Sequence, residues 1–215
     1  MPAPTLITPA LFVALWLRTV KNSTKDQAQQ VFRQLDQHYN NAQRHYHNWS
    51  HIAQCLGFIE EMAEQLEAAD RVRLAIWFHD VICTPGQSDN EHRSVNFFRH
   101  CVADPVTNST LCDHIERLIM ATCHCGDLTS VDLAAMADAD LGSFCLPWDQ
   151  FHRDSLHVVE EYGDSDRAEK KAGKAAFLQN LLERPSIYHS VHFLKFYESR
   201  ARDNIQRELA LMQEQ

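Results

Sequence analysis

Residues 75–83 read AIWFHDVIC, an apolar run with a histidine and an aspartate side by side near its centre. A helix through this stretch carries His79 and Asp80 into the protein interior. Burying an imidazole and a carboxylate among apolar neighbours is costly unless a partner satisfies them. Three explanations are open: a hydrogen-bonded structural pair, a proton-transfer pair, or a bound metal ion.

The rest of the chain also has a helical character. Only 6 of its 215 residues are glycine and 7 are proline, so interruptions are few and long helices are favoured. Apolar residues recur at spacings of three and four, and no segment has the regular alternation of a strand. Because there is no repeat or composition break, the sequence predicts one all-α domain over residues 1–215. Asp70 is expected to cap one of the helices. The predicted helices cover residues 25–39, 47–68, 71–82, 91–102, 107–124, 127–145, 148–162, 166–185 and 186–213.

Charge and cysteine content limit the classes of function. A net charge of −9 argues against nucleic-acid polymers and anionic membranes as partners, because both need a basic surface. A small phosphorylated ligand remains compatible, since a bound cation would reverse the local field. Seven cysteines without a disulfide-scaffold spacing favour a reducing cytoplasm. The apolar run within residues 1–20 lacks a basic leader and is too short for a bilayer, so neither a signal peptide nor a membrane anchor is expected.

Two further polar side chains fall on apolar helix faces. His51 begins a stripe of apolar residues at spacings of three and four, and Asp140 lies within a second stripe. Asp138 points about 160° away from Asp140 around an ideal helix. With His79 and Asp80, these faces supply two imidazoles and two carboxylates, a plausible ligand set for a divalent transition metal. Because an ion would offset the charge of buried carboxylates, a metal site is favoured over independent core pairs.

The order and surroundings of these four residues resemble a known signature. His51 lies in HNWSHI, the His-Asp pair closes WFHD, and Asp140 lies in ADADL. This set resembles the H…HD…D signature of the HD-domain superfamily, whose members are mostly metal-dependent phosphohydrolases with an all-α fold. RHYHNWSHI, DNEHRS, ATCH and ARDNIQREL are also similar to a bacterial branch of predicted HD phosphohydrolases, and the resemblance covers roughly residues 40–208. One departure is VVEEY at residues 158–162, where the branch often has a basic residue before the acidic-Tyr pair, and it leaves the substrate open.

The resemblance implies an HD-domain-like helical bundle. Its metal-site core is expected at about 44–145, with additional C-terminal helices at about 147–215. The four residues would hold a divalent ion, for which Mn, Mg, Co, Ni, Fe and Zn are all candidates. His47 competes with His51 for the first ligand position, but the apolar stripe continues from His51. Arg44 and His47 are then expected at the rim, for substrate phosphate or for support of the ligands, although Arg44 is equally compatible with an ordinary surface base.

Catalytic and supporting roles follow from the chemistry of such an ion. An ion with open coordination positions polarises a phosphoryl oxygen and lowers the pKa of a bound water. Asp80 or Asp138 is expected to orient that water or accept its proton, which makes these two the candidate catalytic residues. Glu91 and His124 are candidates for outer contacts or for a second ion.

The leading interpretation is a cytoplasmic metal-dependent phosphohydrolase acting on a phosphate ester or nucleotide. No organic cofactor site is predicted, and the oligomeric state stays open. Two alternatives are a non-catalytic metal or nucleotide sensor with the same fold, and a di-iron oxygenase, which would need more histidines at the ion. The CHC motif at residues 123–125 lacks the second ligand pair of a structural zinc site. The basic residues of RAEKKAGK at 167–174 favour a solvated helix face over a phosphate subsite.

Overall fold

Eleven α-helices and two short 3₁₀ segments form the regular structure of the described residues. The computed structural model describes residues 7–126, 128–162 and 167–214, except for the side chains of 167–169 and 214. No β-strand occurs within these ranges, which confirms the predicted all-α class. The α-helices are α1 (Pro9–Thr19), α2 (Lys25–Tyr39), α3 (Trp49–Met62), α4 (Ala69–Phe78), α5 (Asn90–Cys101), α6 (Ser109–Ala121), α7 (Val131–Asp140), α8 (Trp148–Glu161), α9 (Arg167–Glu183), α10 (Val191–Phe196) and α11 (Glu198–Glu214). The 3₁₀ segments Ala63–Gln65 and Leu141–Cys145 directly follow α3 and α7.

Local signals explain several of the helix boundaries. α2 has the predicted bounds, and Thr24 and Gln27 form a reciprocal capping box at its first turn. α4 begins two residues earlier than predicted and ends at Phe78. Asp70 lies within its first turn and pairs with Arg18, at 2.5 Å between Oδ2 and Nε, so the prediction that Asp70 caps this helix is wrong.

Two predictions of the number of helices need correction. α1 occupies a segment for which no helix is predicted; Thr8 caps it, and Pro9 occupies its first turn, where a missing N–H does no harm. The single helix predicted for residues 186–213 is two helices, α10 and α11, separated at Tyr197. The helical period continues across this break, so the apolar pattern alone does not reveal it.

Some expectations concern residues outside the described ranges. Residues 1–6, which belong to the segment where neither a signal peptide nor a membrane anchor is expected, lie outside the described ranges. The first residues of two predicted helices, at 127 and 166, also lie outside them. None of the described helices combines the length and the apolar character that crossing a membrane requires.

α4 lies in the core and carries most of the AIWFHDVIC stretch. Its residues from Leu74 to Phe78 are all buried, and it packs against α1, α3, α5 and α6. The rings of Trp77 and Phe12 have centroids 5.1 Å apart, and those of Phe78 and Phe98 lie 5.0 Å apart. Because the last five residues of α4 are apolar on all sides, the His-Asp pair that follows them lies in the interior.

Acidic side chains fasten α7 to two distant loops. The carboxylate of Asp132 accepts hydrogen bonds of 2.8 and 3.0 Å from the backbone N–H groups of residues 67–68, just before α4. The carboxylate of Asp138 accepts hydrogen bonds of 2.8 and 2.7 Å from those of residues 189–190, just before α10. α7 is therefore held near both ends, which fixes the position of Asp140 at its C-terminus.

The C-terminal helices pack on the 3₁₀ segment that follows α7. Both α8 and α11 contact Leu141–Cys145, and α9 packs against α11. Asn204 of α11 donates hydrogen bonds to the carbonyls of Phe144 and Leu146, at 2.7 and 2.9 Å. In this position α8 and α9 line the space in front of Asp80.

Candidate metal centre

The four predicted ligands converge on one point. His51 comes from the first turn of α3, and Asp140 is the last residue of α7. Between them, His79 and Asp80 directly follow α4. The two histidine Nε2 atoms lie 3.2 Å apart. Asp80 Oδ2 lies 3.2 and 3.1 Å from these nitrogens, and Asp140 Oδ1 lies 3.3 Å from each.

The spacing of these atoms suits a divalent metal ion. Bonds of about 2.0–2.2 Å from ion to ligand place neighbouring ligand atoms about 3.0–3.5 Å apart. His79 Nδ1 donates a hydrogen bond to the carbonyl of Ile76 at 2.9 Å, which leaves the lone pair of Nε2 for the centre. Asp80 Oδ2 is buried and makes no hydrogen bond within the described residues. Since a cation would satisfy this oxygen, the four residues fit a bound divalent ion.

The centre is closed on its histidine side and open on its acidic side. The side chains of His51 and His79 are 1% and 0% exposed, whereas those of Asp80 and Asp140 are 20% and 18% exposed. Burial opposes protonation of His79, but the Asp80 and Asp140 carboxylates raise its pKa well above the ordinary value. Burial likewise opposes ionisation of Asp80, but the neighbouring imidazoles lower its pKa well below the ordinary value. The carboxylates therefore require positive charge at the centre, from protons on the imidazoles or from an ion.

His124 contacts the centre from outside, while Glu91 lies further away. The Nε2 of His124 is 2.9 Å from Oδ2 of Asp140, the carboxylate oxygen that does not face His51 and His79. The backbone of His124 is left-handed, with a φ of 52°, which is uncommon for a residue other than glycine. This geometry agrees with an outer contact for His124. Glu91 lines the cavity in front of the centre and is not one of the four converging groups.

Arg44 contacts the backbone around the centre. Its Nη1 donates hydrogen bonds to the carbonyls of His47 and Asp80, at 3.0 and 2.5 Å, and its Nη2 donates to that of Val81 at 2.8 Å. A cation at these carbonyls also complements the C-terminal end of α4. These three hydrogen bonds agree with the predicted support of the ligands and are not those of an ordinary surface base. Contact with a substrate phosphate stays a prediction, since the guanidinium has two further N–H groups.

His47 lies at the rim of the centre, as predicted, and is held by Glu161, which sequence reasoning missed. Its Nδ1 lies 2.5 Å from Oε2 of Glu161, whose Oε1 accepts hydrogen bonds of 2.8 Å from two successive backbone N–H groups. Burial opposes protonation of this ring, but Asp80 and Glu161 raise the pKa of His47 to about 10. The ring lines the cavity, while His51 belongs to the group of four converging side chains.

Asp138 points away from the centre. Its side chain is fully buried, and both carboxylate oxygens are occupied by the N–H groups of residues 189–190. Burial raises the pKa of Asp138, and these hydrogen bonds partly offset the rise. The prediction that Asp138 orients a water or accepts its proton is therefore wrong, because its carboxylate anchors the loop before α10.

A cavity of about 710 Å³ opens from the acidic side of the centre. Asp80 and Asp140 line one end, and α8 and α9 supply much of the remaining wall. Lys170 and Lys174 of the RAEKKAGK motif belong to this wall, so a purely solvated face is the wrong interpretation at these two positions. Lys174 is paired with Glu208, at 2.5 Å between Nζ and Oε1. The side chains of the first three residues of the motif, at 167–169, lie outside those that the structure describes.

Other cysteine-containing groups are less suited to an ion. The thiol of Cys55 lies behind His51 but donates to the carbonyl of Ala139 at 3.3 Å. Cys83 lies within 4.8 Å of His47 and Glu161, which are already bonded to each other.

The CHC motif at residues 123–125 shows no zinc site in the part of the chain that the structure describes. Its two cysteines are free, and neither belongs to a group of three or more potential ligands close enough to share an ion.

Comparison with known proteins assigns no family to this chain. No protein-family model matches it, and no curated protein matches its sequence. The candidate metal centre is therefore supported by the geometry of its own residues.

Proposed function

We propose that this protein is a metal-dependent phosphohydrolase that acts on a phosphate ester. The observation that carries the proposal is a set of two imidazoles and two carboxylates, with contacts of 3.1–3.3 Å between nitrogen and oxygen, at the end of a 710 Å³ cavity. The resemblance to HD-domain phosphohydrolases supports the reaction type. A divalent ion in such a site supplies Lewis acidity toward a phosphoryl oxygen and activates water as a nucleophile.

The residues around the centre would have different roles in the reaction. His51 and His79 are buried and keep bulk water from the back of the site. Asp80, like Asp140, is a candidate ligand that also lines the cavity, and there it can orient an attacking water. His47 lines the cavity, where its ring can donate a hydrogen bond to a phosphoryl oxygen from the rim.

We also propose a cytoplasmic setting for this activity. All seven cysteines are free, which suits a reducing compartment. The proposed partner is a small phosphorylated molecule, because the chain carries a net charge of −9 and no broad basic surface is expected.

Metal removal and restoration test the proposal. The purified protein would be stripped with a chelator and assayed on phosphomonoesters, nucleotides and cyclic dinucleotides, with Mn, Co, Ni or Mg added back. Bound metal would be measured in parallel. We expect hydrolysis to disappear on chelation and to return with a divalent ion, because the ion provides the activated water.

A pair of histidine variants provides the matched control. His51→Ala should lose both metal and activity, whereas His45→Ala should retain both, because His45 lies outside the cluster with 44% of its side chain exposed. Full hydrolysis in a verified metal-free preparation would refute the mechanism. Metal binding without hydrolysis on the whole panel would favour the sensor, and two irons per chain would favour the oxygenase.

A further inference from the structure

The two ends of the cavity differ in chemistry. Asp80 and Asp140 line the end at the metal centre. Away from them, the wall is formed largely by apolar side chains of α8, α9 and the 3₁₀ segment after α7. The rings of Phe144 and Phe151 have centroids 5.6 Å apart, and those of Phe144 and Phe177 lie 6.3 Å apart. Val158, Val159 and Leu178 complete this apolar part of the wall.

Three of the four polar side chains that α8 and α9 contribute to the same wall are already engaged, those of Ser155, Lys170 and Lys174. Ser155 Oγ donates to Glu208 Oε1 at 3.1 Å, and Lys174 Nζ contacts the same oxygen at 2.5 Å. His152 satisfies the other oxygen at 2.7 Å. Lys170 also has interaction partners and is not free. A ligand rich in hydroxyl groups would lose its water here while finding few unpaired groups, which disfavours binding.

A carboxylate further restricts what this wall accepts. Asp154 lines the cavity from α8, and burial raises its pKa above the ordinary value. When ionised, it would repel a second phosphate group. The wall therefore suits a neutral, apolar body attached to the one phosphate that the metal centre holds.

We propose that the substrates are phosphomonoesters of apolar alcohols, with the phosphate at the metal centre and the hydrocarbon or aromatic body between α8 and α9. This inference rests on the proposed phosphohydrolase function. A cavity of about 710 Å³ is large enough for a body of this kind beside the phosphate. The selectivity would arise from burial of apolar surface, which increases regularly with the size of the alcohol.

A homologous series of substrates tests this inference. The metal-loaded protein would be assayed on n-alkyl phosphates from butyl to octyl, below the concentrations at which they form micelles. We expect kcat/KM to rise by about two- to fourfold for each added methylene until the cavity is filled. Calorimetry with the corresponding alkylphosphonates, which cannot be hydrolysed, should show the same rise in affinity without depending on turnover.

Two exposed phenylalanines provide matched variants. Phe177, with 42% exposure, lines the cavity, whereas Phe196, with 55% exposure, lies on α10 and does not line it. Phe177→Ala should reduce the dependence on chain length in both assays, because it removes part of the apolar wall. Phe196→Ala should retain the wild-type dependence in both.

The outcomes separate the two proposals. Metal-dependent hydrolysis with no dependence on chain length, or with a preference for nucleotides, would overturn the substrate class and leave the phosphohydrolase function standing. A rise in phosphonate affinity without hydrolysis of any phosphate ester would support the binding preference and overturn the phosphohydrolase function. Failure of both binding and hydrolysis would overturn both.

Discussion

Two aspartates that lie two residues apart on α7 should respond differently to the same substitution. Asp138→Asn keeps one carbonyl acceptor but places an amide N–H₂ group against a backbone N–H donor. The side chain is fully buried, and both of its hydrogen bonds are short, at 2.8 and 2.7 Å. We therefore expect the free energy of unfolding to fall by about 3 kcal/mol. For a chain of this size, that loss lowers Tm by about 6–12 °C.

Asp140→Asn should instead act on the part of the stability that depends on metal. An ion present at 100 times its Kd stabilises the folded state by about 2.7 kcal/mol. This stabilisation corresponds to an increase in Tm of about 5–11 °C. Because Asp140 is one of the four candidate ligands, the metal-dependent increase should vanish in Asp140→Asn. It should persist in Asp138→Asn, whose lower Tm would be seen with and without metal.

Thermal unfolding in metal and in chelator measures both effects on the same preparations. Bound metal in each purified variant provides an independent check. The reasoning is refuted if Asp138→Asn loses the metal-dependent increase while Asp140→Asn retains it. An unchanged Tm for Asp138→Asn in chelator would contradict the anchoring role that we assign to this carboxylate.

Three further predictions concern residues around the centre. Arg44→Lys should lower Tm in chelator by about 4–12 °C and weaken metal binding, because lysine cannot contact all three carbonyls that the guanidinium holds, including that of Asp80. An unchanged Tm and an unchanged metal affinity would contradict the supporting role of Arg44. His124→Asn keeps a residue that tolerates the left-handed backbone, and its affinity for metal, measured by competition with a chelating dye, should fall about 10- to 100-fold through loss of the contact with Asp140. Burial opposes ionisation of Glu208, but Lys174 and His152 hold its pKa below the ordinary value of 4.5. The ionised carboxylate therefore contributes to stability above about pH 4.5, and this contribution is lost as pH falls through the lowered pKa. The difference in Tm between wild type and Glu208→Gln should therefore be largest near neutral pH and shrink below about pH 4.5, and a difference that grows on acidification would contradict this sign.

The candidate ligands could be predicted because their signal is local. His51 and Asp140 each lie on an apolar stripe, and a polar group on such a stripe must find a partner in the interior. The helical period also separates Asp138 from Asp140 by two steps of about 100°. The structure directs these two carboxylates to different parts of the fold, in agreement with that separation.

The supporting contacts could not be predicted because they depend on tertiary packing. Glu161 lies 114 residues after His47, and nothing in the neighbourhood of either residue indicates the pair. The available signal was its place on α8, three residues after Val158, a residue that lines the cavity. In the sequence, Lys174 cannot be distinguished from a solvated lysine, because its ion pair with Glu208 is visible only in the folded structure.

The exposure of the candidate ligands determines how an ion reaches them. α7 is fastened to loops at residues 67–68 and 189–190, and the two ligand histidines are buried, so the ligands cannot separate without wider unfolding. The carboxylates face the cavity, so the cavity would be the path for an ion. A molecule that fills the cavity would block this path. Binding would then follow a compulsory order in which the ion enters first, and an ion already bound would exchange only after the organic ligand has left.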